Sequence, residues 1–440
     1  MSFDTSSVVA TTARTEAPST GAVGRVAIVG CGPSGCYTAL ALRRLAPGVH
    51  ITIFDGRPTP FGLVRYGVAP DHQGMKNVSR QFDRLFASDL VEFVGNTVVG
   101  EDVQISALEE NFDVVVVATG LPDDRPLAVP VDPQARVVGA GQLLRLLNSD
   151  PDSTLRNCEP LAPLGTDILI VGAGNVAMDV ARLLCKTAEG FHGSDVDDEA
   201  REAMRTSDLQ RLTLVARGPR ERVRWDASMF AELCALPGVS VFMDGEIVER
   251  SVKTDGEEPG RVARVDVRFN ETPLRIDAHG DRCIVRTRSN PGRESGEPAD
   301  GSGDFAHRVD TVVTAMGFVD GSDDRTWTIG DRVLTVGGCG SGTLGNLAEN
   351  RALAKTAAEQ IVDLLRDNHG RPGLIGVTDL CPSDATTFAD WASIDRAETA
   401  RARPDRVRTK FTSWSAMAEV IAEHRRATSD PGGVNVAAEQ

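Results

Sequence analysis

Val26-Ala27-Ile28-Val29-Gly30-Cys31-Gly32-Pro33-Ser34-Gly35 and, further on, Ile168-Leu169-Ile170-Val171-Gly172-Ala173-Gly174-Asn175-Val176-Ala177 carry one pattern: four apolar residues, then glycine-x-glycine-x-x-glycine or alanine. Each reads as strand, tight turn, helix. The first glycine permits the turn and the second lets backbone approach a pyrophosphate. The third small residue, Gly35 or Ala177, lets the helix pack on the strand, so that the helix N-terminus faces the phosphates. One such match is weak, because any close strand-to-helix turn looks alike. Two, each in the right context, specify an α/β fold with two Rossmann-like dinucleotide-binding domains, and a chain that holds two dinucleotides typically passes electrons between them.

The residues that close each unit distinguish the nucleotides. After the first fingerprint, Ile51-Thr52-Ile53-Phe54 ends on Asp55, twenty residues past Gly35. An acidic side chain there accepts ribose hydroxyls, which suits the adenosine half of FAD or NAD. A strand-end turn residue is the plainer alternative. After the second, Leu212-Thr213-Leu214-Val215 ends on Ala216-Arg217. A guanidinium in that place favours a ribose carrying a 2′-phosphate, hence NADP; a solvated surface charge is the plainer alternative.

Between the fingerprints, Pro60-Phe61-Gly62-Leu63-Val64-Arg65-Tyr66-Gly67-Val68-Ala69-Pro70-Asp71-His72, followed by Lys76-Asn77-Val78, resembles the signature of the adrenodoxin-reductase type of ferredoxin–NADP reductases. The similarity continues through Val117-Ala118-Thr119-Gly120, Asp179-Val180-Ala181-Arg182 and Arg217-Gly218-Pro219, and covers roughly residues 24 to 425. The resemblance implies an NADP domain inserted into an FAD domain, with a hydride passing from NADPH to FAD and single electrons then leaving to a ferredoxin-type iron–sulfur protein. It implies FAD contacts at Gly30, Gly32, Ser34, Gly35, Asp55, Gly62, Leu63, Val99, Gly338, Gly345, Asn346 and Leu347. It implies NADP contacts at Gly172, Gly174, Asn175, Val176, Ala177 and Arg217. His72 and Asp179 match positions near the reacting rings and are the catalytic candidates. Each also has a bland reading, His72 as a hydrogen-bonded loop histidine and Asp179 as a carboxylate favourably placed in the first turns of its helix.

Departures from the family pattern qualify this reading. Where the family has two adjacent arginines, this chain has Ala216-Arg217, and Arg220, Arg222 and Arg224 are candidates for a substitute charge, opposed in part by Glu221. A nucleotide-contacting glutamate of the family aligns with Met229, and a tryptophan with a basic pair becomes Gly338-Cys339-Gly340-Ser341. Two alternative functions therefore stay open. One is a stand-alone FAD/NAD(P)H oxidoreductase acting on a small molecule or oxygen; the other is a nucleotide-bound regulator with a decayed NADP site.

A chain of 440 residues, 41% of them hydrophobic, is long enough for two cores. The expected division is a disordered lead (1–23), the first part of the FAD domain (24–125), the NADP domain (126–310), the rest of the FAD domain with a helical tail (311–427) and a disordered end (428–440). A Gly-, Pro- and Ser-rich loop is expected over about 289–303. No apolar run approaches the ~20 residues of a membrane helix, and neither membrane insertion nor a signal peptide is expected; a cytoplasmic location follows from that reading. The net charge of −16 argues against nucleic acid as a partner. It also leaves an acidic ferredoxin in need of a local basic patch. Arg401, Arg403, Arg406, Arg408, Lys410, Arg425 and Arg426, set against Asp405, Glu419 and Glu423, are the candidates, with ordinary helix-surface charge as the alternative. The eight cysteines contain no C-x-x-C pair, so no metal site, cluster or dithiol is expected, and Cys31 and Cys36 are expected to fill small gaps.

Overall fold

A computed structural model describes residues 24–157, 162–249, 263–289, 303–321, 330–342, 347–367 and 369–429. The expected lead, most of the 289–303 loop, Gly345, Asn346 and nearly all of the expected disordered end lie outside the described residues.

The first apolar run becomes the middle strand of a five-stranded parallel sheet. Arg25–Val29 pairs on one side with His50–Phe54, which pairs with Val91–Val94, and on the other with Val114–Val117, which pairs with Val333–Thr335. Helices cover both faces of such a sheet, so its inner strands are apolar at every position instead of alternating. Val26, Ala27 and Ile28 and all four valines of Val114–Val117 are fully buried.

The second run, Asp167–Val171, is an inner strand of a seven-stranded sheet. Its order is Glu246–Glu249, Val239–Met243, Ala263–Arg268, Arg211–Val215, Asp167–Val171, Thr311–Thr314, Val137–Gly139, parallel except at the Glu246–Glu249 edge. A three-stranded antiparallel sheet, Glu271–His279, Arg282–Ser289 and Asp304–Val309, follows the Ala263–Arg268 strand. The chain leaves the first lobe through Asp123–Asp124 and returns through Phe318–Val319, and these two segments pair antiparallel.

That ribbon corrects one expectation. Thr311–Thr314, placed by sequence in the returning part of the FAD domain, lies inside the second sheet, paired with both Asp167–Val171 and Val137–Gly139. A short, doubly buried strand reads the same in either parallel sheet, so its sequence carries no label for the lobe it joins.

The tail returns to the first lobe. Helix Phe388–Ala400 and helix Trp414–Ser429, the latter running past the expected end at 427, contribute Trp391, Ile394, Met417 and Ile421 to the core that holds Val26, Tyr37 and Phe82. Between the helices the chain crosses to the second lobe, where Arg406 forms a backbone bridge with Ser194 and an ion pair with Asp198.

Candidate functional site

The three glycine roles separate cleanly in space. Gly30 has φ +108°, and a Cβ on it would lie 2.5 Å from the Ala118 carbonyl oxygen; one on Gly35 would lie 2.1 Å from the Gly30 oxygen. A Cβ on Gly32 would meet nothing within 4 Å. The second fingerprint repeats this. Gly172 has φ +121° and would place a Cβ 2.3 Å from the Ala315 oxygen, whereas Gly174 faces open space. Turn and packing thus require Gly30, Gly35 and Gly172, with Ala177 in the last place of the second motif, and the middle glycine of each motif clears a space that no protein atom fills.

Both spaces lie at uncapped helix starts. Helices Pro33–Leu45 and Asn175–Cys185 begin at Gly32 and Gly174 without a side-chain cap. By contrast Asp226 caps Ala227–Cys234, and Thr387 with Asp390 forms a capping box on Phe388–Ala400. A helix start without a side-chain cap, beside space that no protein atom fills, offers first-turn N–H donors that a pyrophosphate satisfies, so the residues present fit a dinucleotide at each turn.

At the first turn a cleft of about 180 Å³ is lined by Gly30, Gly32, Ser34, Asp55, Gly62, Leu63 and Gly338, all expected from sequence, and by Arg57, Arg145 and Asn350, which were not. The Asp55 carboxylate accepts the Cys31 N–H at 2.8 Å and the Arg57 N–H at 2.9 Å, so it shapes the turn while bordering the cleft. Burial pushes its pKa up, and those two N–H bonds and the Arg57 charge offset part of that rise. Ser34 donates to Asn350 at 3.1 Å, tying the fingerprint helix to Leu347–Asp367, the helix that Leu347 opens. Val99 does not line the cleft; it is buried in a core with Phe54 and Val103.

At the second turn Ala177 is fully buried, Val176 is partly covered and Asn175 is exposed. Asn175 Oδ1 accepts the Asp226 N–H at 2.7 Å, and a backbone bridge joins Gly174 to Arg224. Arg217 is exposed at the end of its strand, while the neighbouring Ala216 is buried in the core of the second lobe.

The catalytic candidates meet where the lobes touch. His72 Nδ1 lies 3.4 Å from an Asp179 oxygen, and its Nε2 lies 3.3 Å from Glu232. Arg182, almost wholly buried, binds Asp71 with both terminal nitrogens, donates to Asp179 at 2.9 Å and stands 3.4 Å from Glu232. Lys186 also pairs with Asp71. Burial raises the Asp71 pKa, but Arg182 and Lys186 outweigh it and hold the group below its ordinary value; for Asp179, burial wins and the pKa rises. Glu232 was missed in the sequence. It sits on helix Ala227–Cys234, and nothing in its neighbourhood of the chain signals the histidine it meets.

Two glycine cradles and a charged junction between their lobes are the architecture of a paired-nucleotide reductase, and comparison with known proteins agrees. Residues 24–324 match the pyridine nucleotide-disulphide oxidoreductase family. Over 441 aligned residues the chain is 34% identical to cindoxin reductase of Citrobacter braakii, covering 92% of this chain and 93% of that one. The chain belongs to the adrenodoxin-reductase-type ferredoxin–NADP reductase family. Mouse mitochondrial NADPH:adrenodoxin oxidoreductase is 36% identical over 222 residues, 50% of this chain and 44% of that protein. The structure of Mycobacterium tuberculosis FprA in complex with NADPH superposes with a TM-score of 0.75 at 26% identity, covering 91% of this chain and all of that one.

One feature of this reductase differs from the sequence reading. Most of the basic run of the tail is not a free patch: Arg403 and Arg406 pair with Asp198 and Asp405, Arg408 with Asp395, Lys410 with Asp195 and Arg425 with Asp390, while Arg401 lies over the Phe411 ring and Arg426 donates to the Ala422 carbonyl oxygen. The tail straps both lobes, and its cations neutralise acidic groups there. Cys339, in the altered Gly338–Ser341 segment, directs its thiol at the Val117 and Val336 carbonyl oxygens, 3.3 and 3.2 Å away, a structural placement. No helix among the described residues is long and apolar enough to cross a membrane.

Proposed function

We propose that this reductase takes electrons from NADPH at the second lobe, holds them at FAD in the first, and delivers them singly to a ferredoxin-type iron–sulfur protein. The observation that carries the reading is the pair of open, uncapped glycine cradles, one in each lobe, in lobes that meet through the His72–Asp179–Glu232 contacts. When bound, FAD and NADPH supply the redox chemistry itself, a hydride transfer between their rings followed by one-electron steps.

What the chain contributes is placement and field. Gly30, Gly32 and the first turn of Pro33–Leu45 receive the FAD pyrophosphate, and Asp55 offers its remaining acceptor capacity to the ribose. Gly174, Asn175 and Arg217 receive the NADP side. Arg182 fixes Asp71 and Asp179 so that the loop carrying His72 and the helix carrying Asp179 keep one relative position. That rigidity would keep the two nucleotide sites in one register, which is where an oxidoreductase of this kind gains rate. Anaerobic reduction of a [2Fe-2S] ferredoxin by NADPH, dependent on the protein, tests the reading.

A second reading is favoured by Gly338, which lines the FAD cleft without a side chain. An open cleft admits a small organic acceptor or oxygen. Turnover of NADPH with such acceptors, and with no ferredoxin, selects that reading instead.

A further inference from the structure

The segment 217–224 runs from the end of the Arg211–Val215 strand to the Gly174 turn, the two walls between which a dinucleotide's adenosine ribose sits in this fold. It holds Arg217, Arg220, Arg222 and Arg224 against the single acid Glu221. In a chain of net charge −16 such a concentration of guanidinium groups is a strong local field.

These arginines are not equivalent. Arg220 and Arg222 lie on an exposed single turn, Arg220–Arg222, with neither side pinned to the nucleotide cradle. Arg224 is fastened there, because its backbone bridges Gly174 and the next turn of chain is held by the Asp226 N–H on Asn175 Oδ1 at 2.7 Å. Its side chain is exposed and, among the described residues, makes no ion pair. The position beside Arg217 supplies nothing, since Ala216 packs into the core. A dianionic phosphate takes several charge-assisted donors, more than one guanidinium fork provides.

We propose that Arg224 is the second arm of the 2′-phosphate clamp and a determinant of NADP over NAD selectivity in this reductase, working opposite Arg217 from the far side of the loop. The proposal rests on the assignment of NADP to the second lobe.

The FAD-loaded protein is titrated by calorimetry with 2′,5′-ADP and with 5′-AMP, which differ only in the 2′-phosphate. The unaltered protein is expected to bind 2′,5′-ADP more tightly. Arg224→Ala is expected to weaken 2′,5′-ADP by about tenfold or more and 5′-AMP by less than about twofold. Arg224→Lys, which keeps the charge and loses the fork, is expected to recover part of the loss. Arg220→Ala and Arg222→Ala serve as charge-matched controls and are expected to stay within about threefold for both ligands. An Arg224→Ala loss below about threefold on 2′,5′-ADP, an equal loss on both ligands, or a loss no larger than that of the two controls overturns the proposal. If the unaltered protein shows no preference for 2′,5′-ADP, the assignment of NADP to this lobe fails, and the clamp with it; a preference that Arg224→Ala leaves intact sinks the clamp alone.

Discussion

His72 and Glu232 stand 160 residues apart in the chain, yet His72 Nε2 lies 3.3 Å from a Glu232 carboxylate oxygen, one from each lobe. Arg182 and Asp179 bound the same contact. The lobes are therefore registered by side chains at this junction, and not only by the Asp123–Asp124 and Phe318–Val319 ribbon that joins them.

If that contact positions the rings, His72→Gln and Glu232→Gln each slow flavin reduction by NADPH by about three- to tenfold, and the double change slows it by less than the product of the two. Anaerobic stopped-flow absorbance measures this. Fully multiplicative effects would show that the two residues act separately.

The glycine geometry separates folding from binding. Gly35→Ala drives a methyl into the Gly30 carbonyl oxygen, a backbone atom that cannot withdraw, and is expected to yield little folded protein. Gly32→Ala meets open space. It should fold with a melting temperature within about 3 °C of the parent, yet retain FAD at least about tenfold less tightly, because the methyl takes room the pyrophosphate needs. FAD release followed by fluorescence decides it; unchanged retention would remove the pyrophosphate from that turn.

The Asp195 carboxylate lies buried between Lys76 at 2.7 Å and Lys410 at 2.8 Å, joining the second lobe to the first and to the tail. Burial opposes its ionisation, but the two ammonium groups outweigh that and hold its pKa well below the ordinary 3.8. The folded chain thus binds fewer protons there than the unfolded chain. The stabilisation is complete above the unfolded value and is lost as pH falls through the folded one, over ~pH 5 to 1. Asp195→Asn removes the counter-charge of Lys76 and Lys410, whose pKa values burial already lowers, and is expected to cost about 3–5 kcal/mol at pH 7, with a flatter loss of stability toward acid. Urea unfolding at several pH values reads both; an unchanged acid slope contradicts the assignment.

Arg217→Ala is expected to weaken NADPH by about ten- to hundredfold and to leave NADH nearly unaffected, since only the 2′-phosphate distinguishes them. Titration of the FAD-loaded protein with each nucleotide checks it. Equal losses would place Arg217 elsewhere than at the phosphate.

Local chemistry explains what the sequence made readable. Gly30, Gly32 and Gly35 are legible because a turn, a clearance and a close packing each exclude a Cβ within a few residues, and Asp55 because strand length sets its distance from them. Glu232, Arg145 and Asn350 were illegible for the opposite reason: each enters its site through tertiary packing, and nothing in its own neighbourhood differs from a surface residue. The tail misled by composition. Its arginines look like a docking patch when counted along the chain, but Asp390 and Asp395, just upstream, and Asp195 and Asp198, distant in sequence from the run, meet them in space. Thr311–Thr314 misled because a doubly buried strand carries no face to tell one parallel sheet from another.

Anaerobic addition of NADPH to the purified protein, with the flavin absorbance followed, tests the relay between the two cradles most directly. The account predicts a yellow protein whose flavin band bleaches with one equivalent of NADPH per bound FAD. A colourless polypeptide that takes up no FAD on reconstitution, or a bound flavin that NADPH leaves oxidised, would contradict it.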